Sequence, residues 1–569
     1  MDVKECILTI IIELNLFRVT MSMTDNIQQL HKQAQQALNQ GQYQQAHQYI
    51  MGILSQDKHF ADGYFLLAMI ASVHHNTTKA IELIKQAIVL APKQVEYVAQ
   101  LAKQYALVND HVQALHYANL AANLKPTSAL TLDTIGVAYS QIGLHQQAVP
   151  FFQQAVAANK NNGIFFFNLG ASLKFTGEFT HARQAYERTI ELMPKYCKAH
   201  AALTSLGDIT GSNNHIERLT RLYQQLTQTD DLLYIGHALA REHEALGDYD
   251  KAYSYLNKSK KSKLSQLDYH FEDDEQMFAS LTALFSAQQT TKQQVNDLSE
   301  QTQIAKPLNS GVIFDVNAGF NSSEALFVVG MPRTGTTLVE RILSKHSDVT
   351  SAGELQHFGL LLKELSKTST NKVIDKETVL AAANIDFTKL GESYINSTRA
   401  ITGKSAKFVD KMPLNVLYAG FIINALPQAK IICLDRGPLD TIVSNYRQLF
   451  AVNFSYYNYA YDLQTTAQFY HQFKELTKLW LTLYPNNFYV VNYEKLVNNP
   501  KDEAEKIIEF CGLDWQEQCL DTHKNIAPVA TASAVQVRRP INNKSVGNWQ
   551  KYKEYLTEVR HYLTQQGLL

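Results

Sequence analysis

An apolar, strand-like run, ALFVVG, ends at Gly330, and Gly335, Thr336 and Thr337 follow after four intervening residues, opening a helical pattern. Two glycines allow a tight loop. The free N–H groups at the start of a helix point at an anion, and the helix dipole favours negative charge there. A Walker A loop would place a lysine where Thr336 stands; the nearest basic residue is Arg333, inside the loop. This is an anion cradle with hydroxyl donors and an internal arginine, but without the lysine that grips a transferable γ-phosphate. A mere strand-to-helix turn would need neither the threonines nor Arg333.

A second candidate lies in IICLDRGPLDTIVSNYRQLF. Arg436 stands just past an apolar run and Ser444 follows eight residues later, in a helix expected to begin near Pro438. A guanidinium fork and a hydroxyl make a fair phosphate site, although a solvated strand-end arginine reads the same in isolation. Between the two sites, TSAGELQHFG offers Glu354 as a general base, and His357 one turn later as its rival. Glu354 is also compatible with a plain first-turn acid favoured by the helix dipole, and His357 with a core histidine.

These residues need a scaffold. From Glu324 onward, strand-like runs (ALFVVG, KFVD, AKIICLD, NFYVVN) alternate with helical stretches, which predicts a parallel sheet covered by helices. In such sheets ligands bind outside the carboxyl ends of the strands. The first half is different. Ala46, Ala80, Ala114, Ala148 and Ala182 recur every 34 residues, and Gly136/Gly170 and Gly143/Gly177 keep the same step. That period is the mark of tetratricopeptide repeats, stacked helix pairs that form a superhelix with a concave binding surface. ALAREHEALGDYDKAYSYLNKSKK reads as a last unit, with Ala252 two residues off the period, and the unit after Cys197 is degenerate. The expected organisation is an all-α solenoid over 24–290, a polar linker over 291–322 and an α/β domain over 323–569.

Composition narrows the class. Lys plus Arg is 52 and Asp plus Glu is 53, a net charge of −1, which argues against a protein that coats nucleic acid. Five cysteines (Cys6, Cys197, Cys433, Cys511, Cys519) without C-x-x-C spacing suggest neither a disulfide framework nor a zinc site, and a reducing, cytoplasmic setting. The run CILTIIIELNLF at 6–17 is interrupted by Glu13 and shorter than the roughly 20 residues of a membrane span. Met21 and Met23 follow it, so the natural start is expected there; a short membrane-associating segment is the competing reading.

Taken together, the motifs resemble those of the PAPS-dependent sulfotransferases, and among them the tyrosylprotein sulfotransferases. GMPRTGTT looks like that family's 5′-phosphosulfate loop, DKMPLNVLYAGFIINALPQAKIICLDR like its DK-x-P…FP-x-AK…R segment, VVNYEKL like its Y-E-x-L segment, and SAVQVRRPIN like its late serine-to-proline segment, with Trp549 beyond it. An array of repeats ahead of such a domain looks like a bacterial type. The resemblance implies that 3′-phosphoadenosine 5′-phosphosulfate (PAPS) is the co-substrate and that no metal is needed. It implies donor contacts from Arg333, Thr334, Gly335, Thr336, Thr337, Arg436, Ser444, Tyr493 and Arg538. It also implies catalysis by Glu354, with Lys411, Ser533 and Arg333 stabilising charge on the transferring group. The sequence departs from the family at Lys544, the nearest lysine to Asn548; at Arg447, one residue early for a second arginine; and at Asp435, where an apolar residue is commoner.

The favoured reading is sulfuryl transfer to protein tyrosine, with the repeats binding a peptide or partner protein. Glycan and small phenol stay open as acceptors, and a homodimer as an arrangement. Two other classes stand beside it. One is a nucleoside-triphosphate-binding protein with Thr337 and Asp435 on magnesium. The other is a non-catalytic adaptor whose second domain is a relic.

Overall fold

A computed structural model describes residues 25–301, 319–452, 454–525, 527 and 535–569. The segment 6–17, the expected start at Met21 or Met23, residues 302–318 of the expected linker, and Ser533 lie outside the described residues. The chain divides into two compact units, Met1–Lys160 and Asn161–Leu569.

The first unit is built of antiparallel helix pairs, among them Ala61–Val73 with Thr77–Leu90 and Val95–Leu107 with His111–Asn123. The alanines that mark the period in this unit, Ala46, Ala80, Ala114 and Ala148, have no exposed surface. Asn76 and Asp110 cap the second helix of their pairs by accepting the N–H of Lys79 and Gln113, which satisfies one of the orphan donors of a helix start. Gly136 repeats for a steric reason: an added Cβ would stand 2.6 Å from the Phe152 ring of the partner helix.

The second unit opens with more pairs of the same kind: Gly163–Thr176 with Phe179–Leu192 and, at its end, Thr229–Ala245 with Tyr249–Leu264. Between them the degenerate repeat supplies only the short helices Cys197–Thr204 and Ile216–Gln225. A long helix, Phe271–Gln301, then runs past residue 290, where the sequence pattern places the end of the array.

Five parallel strands follow: β1 (Ala325–Gly330), β2 (Val349–Gly353), β3 (Lys407–Asp410), β4 (Lys430–Asp435) and β5 (Phe488–Asn492). Their order is β2-β3-β1-β4-β5, with Val328 beside Ile432 and Ile432 beside Tyr489 in register. Because the chain turns from β1 toward β2 and β3 on one side and comes back to β4 and β5 on the other, the carboxyl end of β1 is the switch point where such sheets bind ligands. One sheet face packs Leu326, Val328, Val409 and Ile432 under Ile507 and Ile508.

On the other face, Phe327, Phe408 and Ile431 share one continuous core with Ala252, Leu256, Phe278 and Phe285 from the end of the repeats. Phe285 meets Trp480 and Phe421 edge to face, with ring centroids 4.9 and 5.0 Å away. The later repeats and the sheet therefore share a core, and the compact-unit division falls at 160/161 rather than in the expected linker. Polarity around residue 290 carries no information about this, because the joining side chains are the apolar ones upstream.

Candidate functional site

The loop after β1 is held open in a conformation few residues tolerate. Gly330 and Gly335 have φ of +142° and +106°, and Arg333, not a glycine, sits at +68°. Gly335 is required twice over, since a Cβ there would also lie 2.5 Å from the Tyr493 ring. Thr336 and Thr337 are the first residues of helix Thr336–Leu343 and are buried. The Thr334 hydroxyl donates to Met331 O at 2.7 Å and so ties the loop to itself. Asn445 supports it from behind, donating to Pro332 O at 2.8 Å while accepting from the Tyr459 hydroxyl.

Arg436, one residue past β4, is buried behind this loop. It donates to Arg333 O at 2.9 Å and to Ser545 O, and its guanidinium lies 4.7 Å from the centre of the Tyr493 ring. Its Nε is buried without a partner among the described residues, so one donor direction is left for a ligand. Ser444 lies on helix Pro438–Tyr446, half-buried. Tyr493, Arg333, Gly335 and Arg436 thus come together. Arg538 does not join them. It donates to Phe175 O at 3.0 Å in a repeat, against Gly177, while Gln536, in the same short helical turn, accepts from Arg333 at 3.0 Å.

The other strand ends complete the site. Glu354 follows β2 and Lys411 follows β3; the Lys411 ammonium, almost fully buried, is ion-paired with the Glu354 carboxylate, which stays about one-third exposed. Lys411 N donates to Gly353 O at 2.8 Å, locking the two strand ends in register. Behind them lies Asp410, which the sequence reading passes over. It accepts from the Tyr394 hydroxyl at 2.8 Å, Asn415 at 3.2 Å and the Leu355 N–H at 3.3 Å. Burial pushes its carboxyl up to about 7, partly opposed by the Tyr394 hydrogen bond. His357, the rival base, is buried in the first turn of helix His357–Ser366. Tyr457 stands close enough for Glu354 to act on it electrostatically, and stacks on Phe450 at 4.3 Å. An aromatic wall thus adjoins the one exposed carboxylate of the site.

Charge at the loop is strongly positive. Burial first, and then the neighbouring Arg447, Arg241 and Arg436, lower Arg333 to about 10. Of these, Arg447 pairs with Glu244 and Arg436 lies 3.8 Å from Asp440. Arg241 and Glu244 come from the last repeat, and a period of small residues gives no signal for them. Asp435, the acid a magnesium-binding reading would use, is engaged by Lys474 at 2.7 Å. Among the described residues no cluster of three or more metal-ligating side chains occurs, and no helix is long and apolar enough to cross a membrane.

Comparison with known proteins finds matches to both kinds of element. Residues 325–517 match the Sulfotransferase family and residues 131–162 match the Tetratricopeptide repeat. An uncharacterized protein of Aquifex aeolicus is 29% identical over 396 residues, 69% of this chain; the match spans 49% of that relative's length. A protein-tyrosine sulfotransferase of Drosophila melanogaster is 23% identical over 239 residues, 39% of this chain and 46% of its own length. The sulfotransferase domain of a Synechococcus PCC 7002 olefin synthase overlays 44% of this chain and 91% of its own at 20% identity, with a TM-score of 0.30. The chain therefore joins tetratricopeptide repeats to a sulfotransferase-family domain.

Proposed function

With a sulfotransferase-family domain as the premise, we propose that this protein transfers a sulfuryl group from PAPS to an acceptor hydroxyl, with protein tyrosine the favoured acceptor. The observation that supports it most is the Lys411–Glu354 pair, set on two strand ends of the same sheet edge as the anion loop. The residues present fit such a donor: a loop whose glycine cannot take a Cβ, a helix start, and a buried arginine with an unused Nε. Bound there, the donor would supply an activated sulfuryl group on a phosphate leaving group.

The rest falls to the chain. The loop N–H groups, Thr336, Thr337 and Arg333 neutralise negative charge at the 5′ end. Arg436, with Ser444, serves the 3′ phosphate. Glu354 takes the proton of the acceptor hydroxyl, a phenol of ordinary pKa near 10 needing such a base. Lys411 fixes the Glu354 carboxylate and brings positive charge beside it, and Asp410, held by three donors, anchors Leu355 next to the base. The aromatic wall of Phe450 and Tyr457 suits a flat ring. The repeats offer a surface for a peptide or protein partner.

The test is transfer of labelled sulfate from PAPS to tyrosine peptides, glycans and small phenols. Glu354→Gln keeps size and hydrogen bonding but accepts no proton, so turnover should fall by about 10²–10⁴ with product-nucleotide affinity unchanged. If His357→Asn abolishes turnover while Glu354→Gln does not, the histidine is the base. Label found in carbohydrate and not in protein excludes the tyrosine acceptor.

A further inference from the structure

The last repeat carries a lysine where a stacking helix needs none. Lys260, in helix Tyr249–Leu264, has almost no exposed surface, and no carboxylate pairs with it among the described residues. Its neighbours do the stacking. Ala252 and Leu256 enter the core, and a Cβ added to Gly236 of the partner helix would stand 2.6 Å from the Ser259 Cβ. Burying an amine costs free energy unless its donors are used. Lys260 uses them on a distant part of the chain: Nζ donates to Ala460 O at 2.8 Å and to Gln448 O at 3.4 Å, beside the rings of Tyr446 and Tyr461. Burial lowers the amine to about 7, yet even uncharged it keeps two N–H donors, one for each carbonyl.

The two carbonyls bracket the chain that carries the aromatic wall, in which Phe450 stacks on Tyr457. Contacts place this wall at the site. The Tyr456 and Tyr418 hydroxyls meet at 2.5 Å, and a Cβ on Gly359 would lie 2.9 Å from the Tyr418 hydroxyl and 3.1 Å from that of Tyr456. Gly359 comes five residues after Glu354, in helix His357–Ser366, and Tyr418 ends the turn Pro413–Tyr418 that follows Lys411. The wall is therefore docked on the two elements that continue from the base and its lysine. Its far side is fixed independently: Tyr459 stacks on Phe469 at 3.9 Å and donates to Asn445 at 2.9 Å, while its carbonyl accepts from Thr465 and Thr466. On the near side, past helix Pro438–Tyr446, the repeat supplies a hold. Glu244 pairs with Arg447, and Lys260 takes Gln448 O. Lys260 thus joins the two sides, as in a loop whose ends lie together.

We propose that Lys260 is a positioning residue for the acceptor: it clasps both ends of the aromatic segment, so that the last repeat sets the wall against which the acceptor ring lies. The inference rests on the sulfuryl-transfer reading, but it assigns a role to a side chain that touches neither donor nor acceptor.

The test compares wild type, Lys260→Met and Lys260→Gln in the full chain. Methionine fills the same space without donors and relieves the cost of a buried amine, so the variant folds; glutamine keeps N–H donors on a shorter reach. Three quantities are read: transfer from PAPS to a tyrosine peptide and to 4-methylphenol, affinity for adenosine 3′,5′-bisphosphate by calorimetry, and hydrogen exchange. Loss of two hydrogen bonds corresponds to a change of about 5- to 30-fold. Lys260→Met should raise the acceptor KM by that factor, leave kcat and nucleotide affinity within twofold of wild type, and speed exchange in 448–461 alone; Lys260→Gln should recover part of the KM. In a Phe450→Ala background Lys260→Met should add little, because both act through one wall. An acceptor KM within twofold of wild type overturns the proposal. So does a parallel loss of acceptor KM and nucleotide affinity, which a merely structural lysine would give. Wild type that sulfates neither acceptor refutes the sulfuryl-transfer reading; the clasp is then decided by exchange, and unchanged exchange of 448–461 in Lys260→Met overturns it.

Discussion

The two stretches of repeats obey one sequence rule and do different work. In Met1–Lys160 most buried positions are apolar, from Ala46 and Ala80 to Phe65 and Tyr97, with Gln104, His111, Asp133 and His145 among the polar exceptions, and residues such as Val89, Val73 and Leu130 stay exposed on the surface. In the repeats after Asn161 the same packing alanines recur, but charged side chains appear in enclosed positions: Glu242 and Lys260 have almost no exposed surface. Lys260 donates to Ala460 O at 2.8 Å and lies 5.1 and 5.3 Å from the ring centres of Tyr446 and Tyr461. A tetratricopeptide repeat conserves its scaffold through small residues at fixed steps, and what it is used for shows only in the positions the rule leaves free.

The strongest way to break this comparison is to empty one core in each stretch. Phe285→Ala removes a fully buried ring set between Phe421 and Trp480 and should destabilise the second unit by about 3–5 kcal/mol, taking nucleotide binding with it. Phe65→Ala in the first unit should cost stability there and leave nucleotide affinity at the wild-type value. Equal loss of nucleotide affinity in both variants, read by denaturant titration and calorimetry, would erase the distinction.

A smaller effect sharpens it. Burial lowers the Lys260 amine to about 7 from its ordinary 10.5. Between those values the unfolded chain binds a proton that the folded one does not, so stability contributed at this position rises as pH climbs from about 7 to 10.5, and below 7 the full cost of the buried ammonium is present. Lys260→Met lacks this dependence. Wild type should therefore gain on the variant across that window in melting temperature; a constant difference would mean that the amine keeps its ordinary pKa in place.

Much of this architecture was legible in the residues. The strands ALFVVG, KFVD and AKIICLD lie where alternation placed them, because parallel strands buried on both faces read as continuous apolar runs. The five alanines at steps of 34 are all fully buried. Gly335 could be read as a loop glycine, yet its second reason, the Tyr493 ring, comes from the start of the helix after β5, more than 150 residues away. Other long-range partners are equally silent in the sequence. The polar stretch around residue 290 marks the expected boundary, and nothing in it tells that Phe278 and Phe285 just upstream enter the sheet's core. The carbonyl partner of Arg538, Phe175, lies in a repeat that no local pattern ties to it. Asp410 stood beside Lys411 in a motif already quoted, and only its burial and three donors mark it out. Periodicity reports what an element does for itself and is silent about long-range partners of polar side chains.

The most direct measurement of the central claim, that the end of the array and the sulfotransferase-family domain build one site, is hydrogen exchange of the full chain with and without adenosine 3′,5′-bisphosphate. The account predicts that the nucleotide slows exchange in loop 331–335 and, in the same titration, in helix Thr229–Ala245, with the helices of the first unit unchanged. Protection confined to the loop and its following helix, with Thr229–Ala245 exchanging as in the free protein, would contradict it.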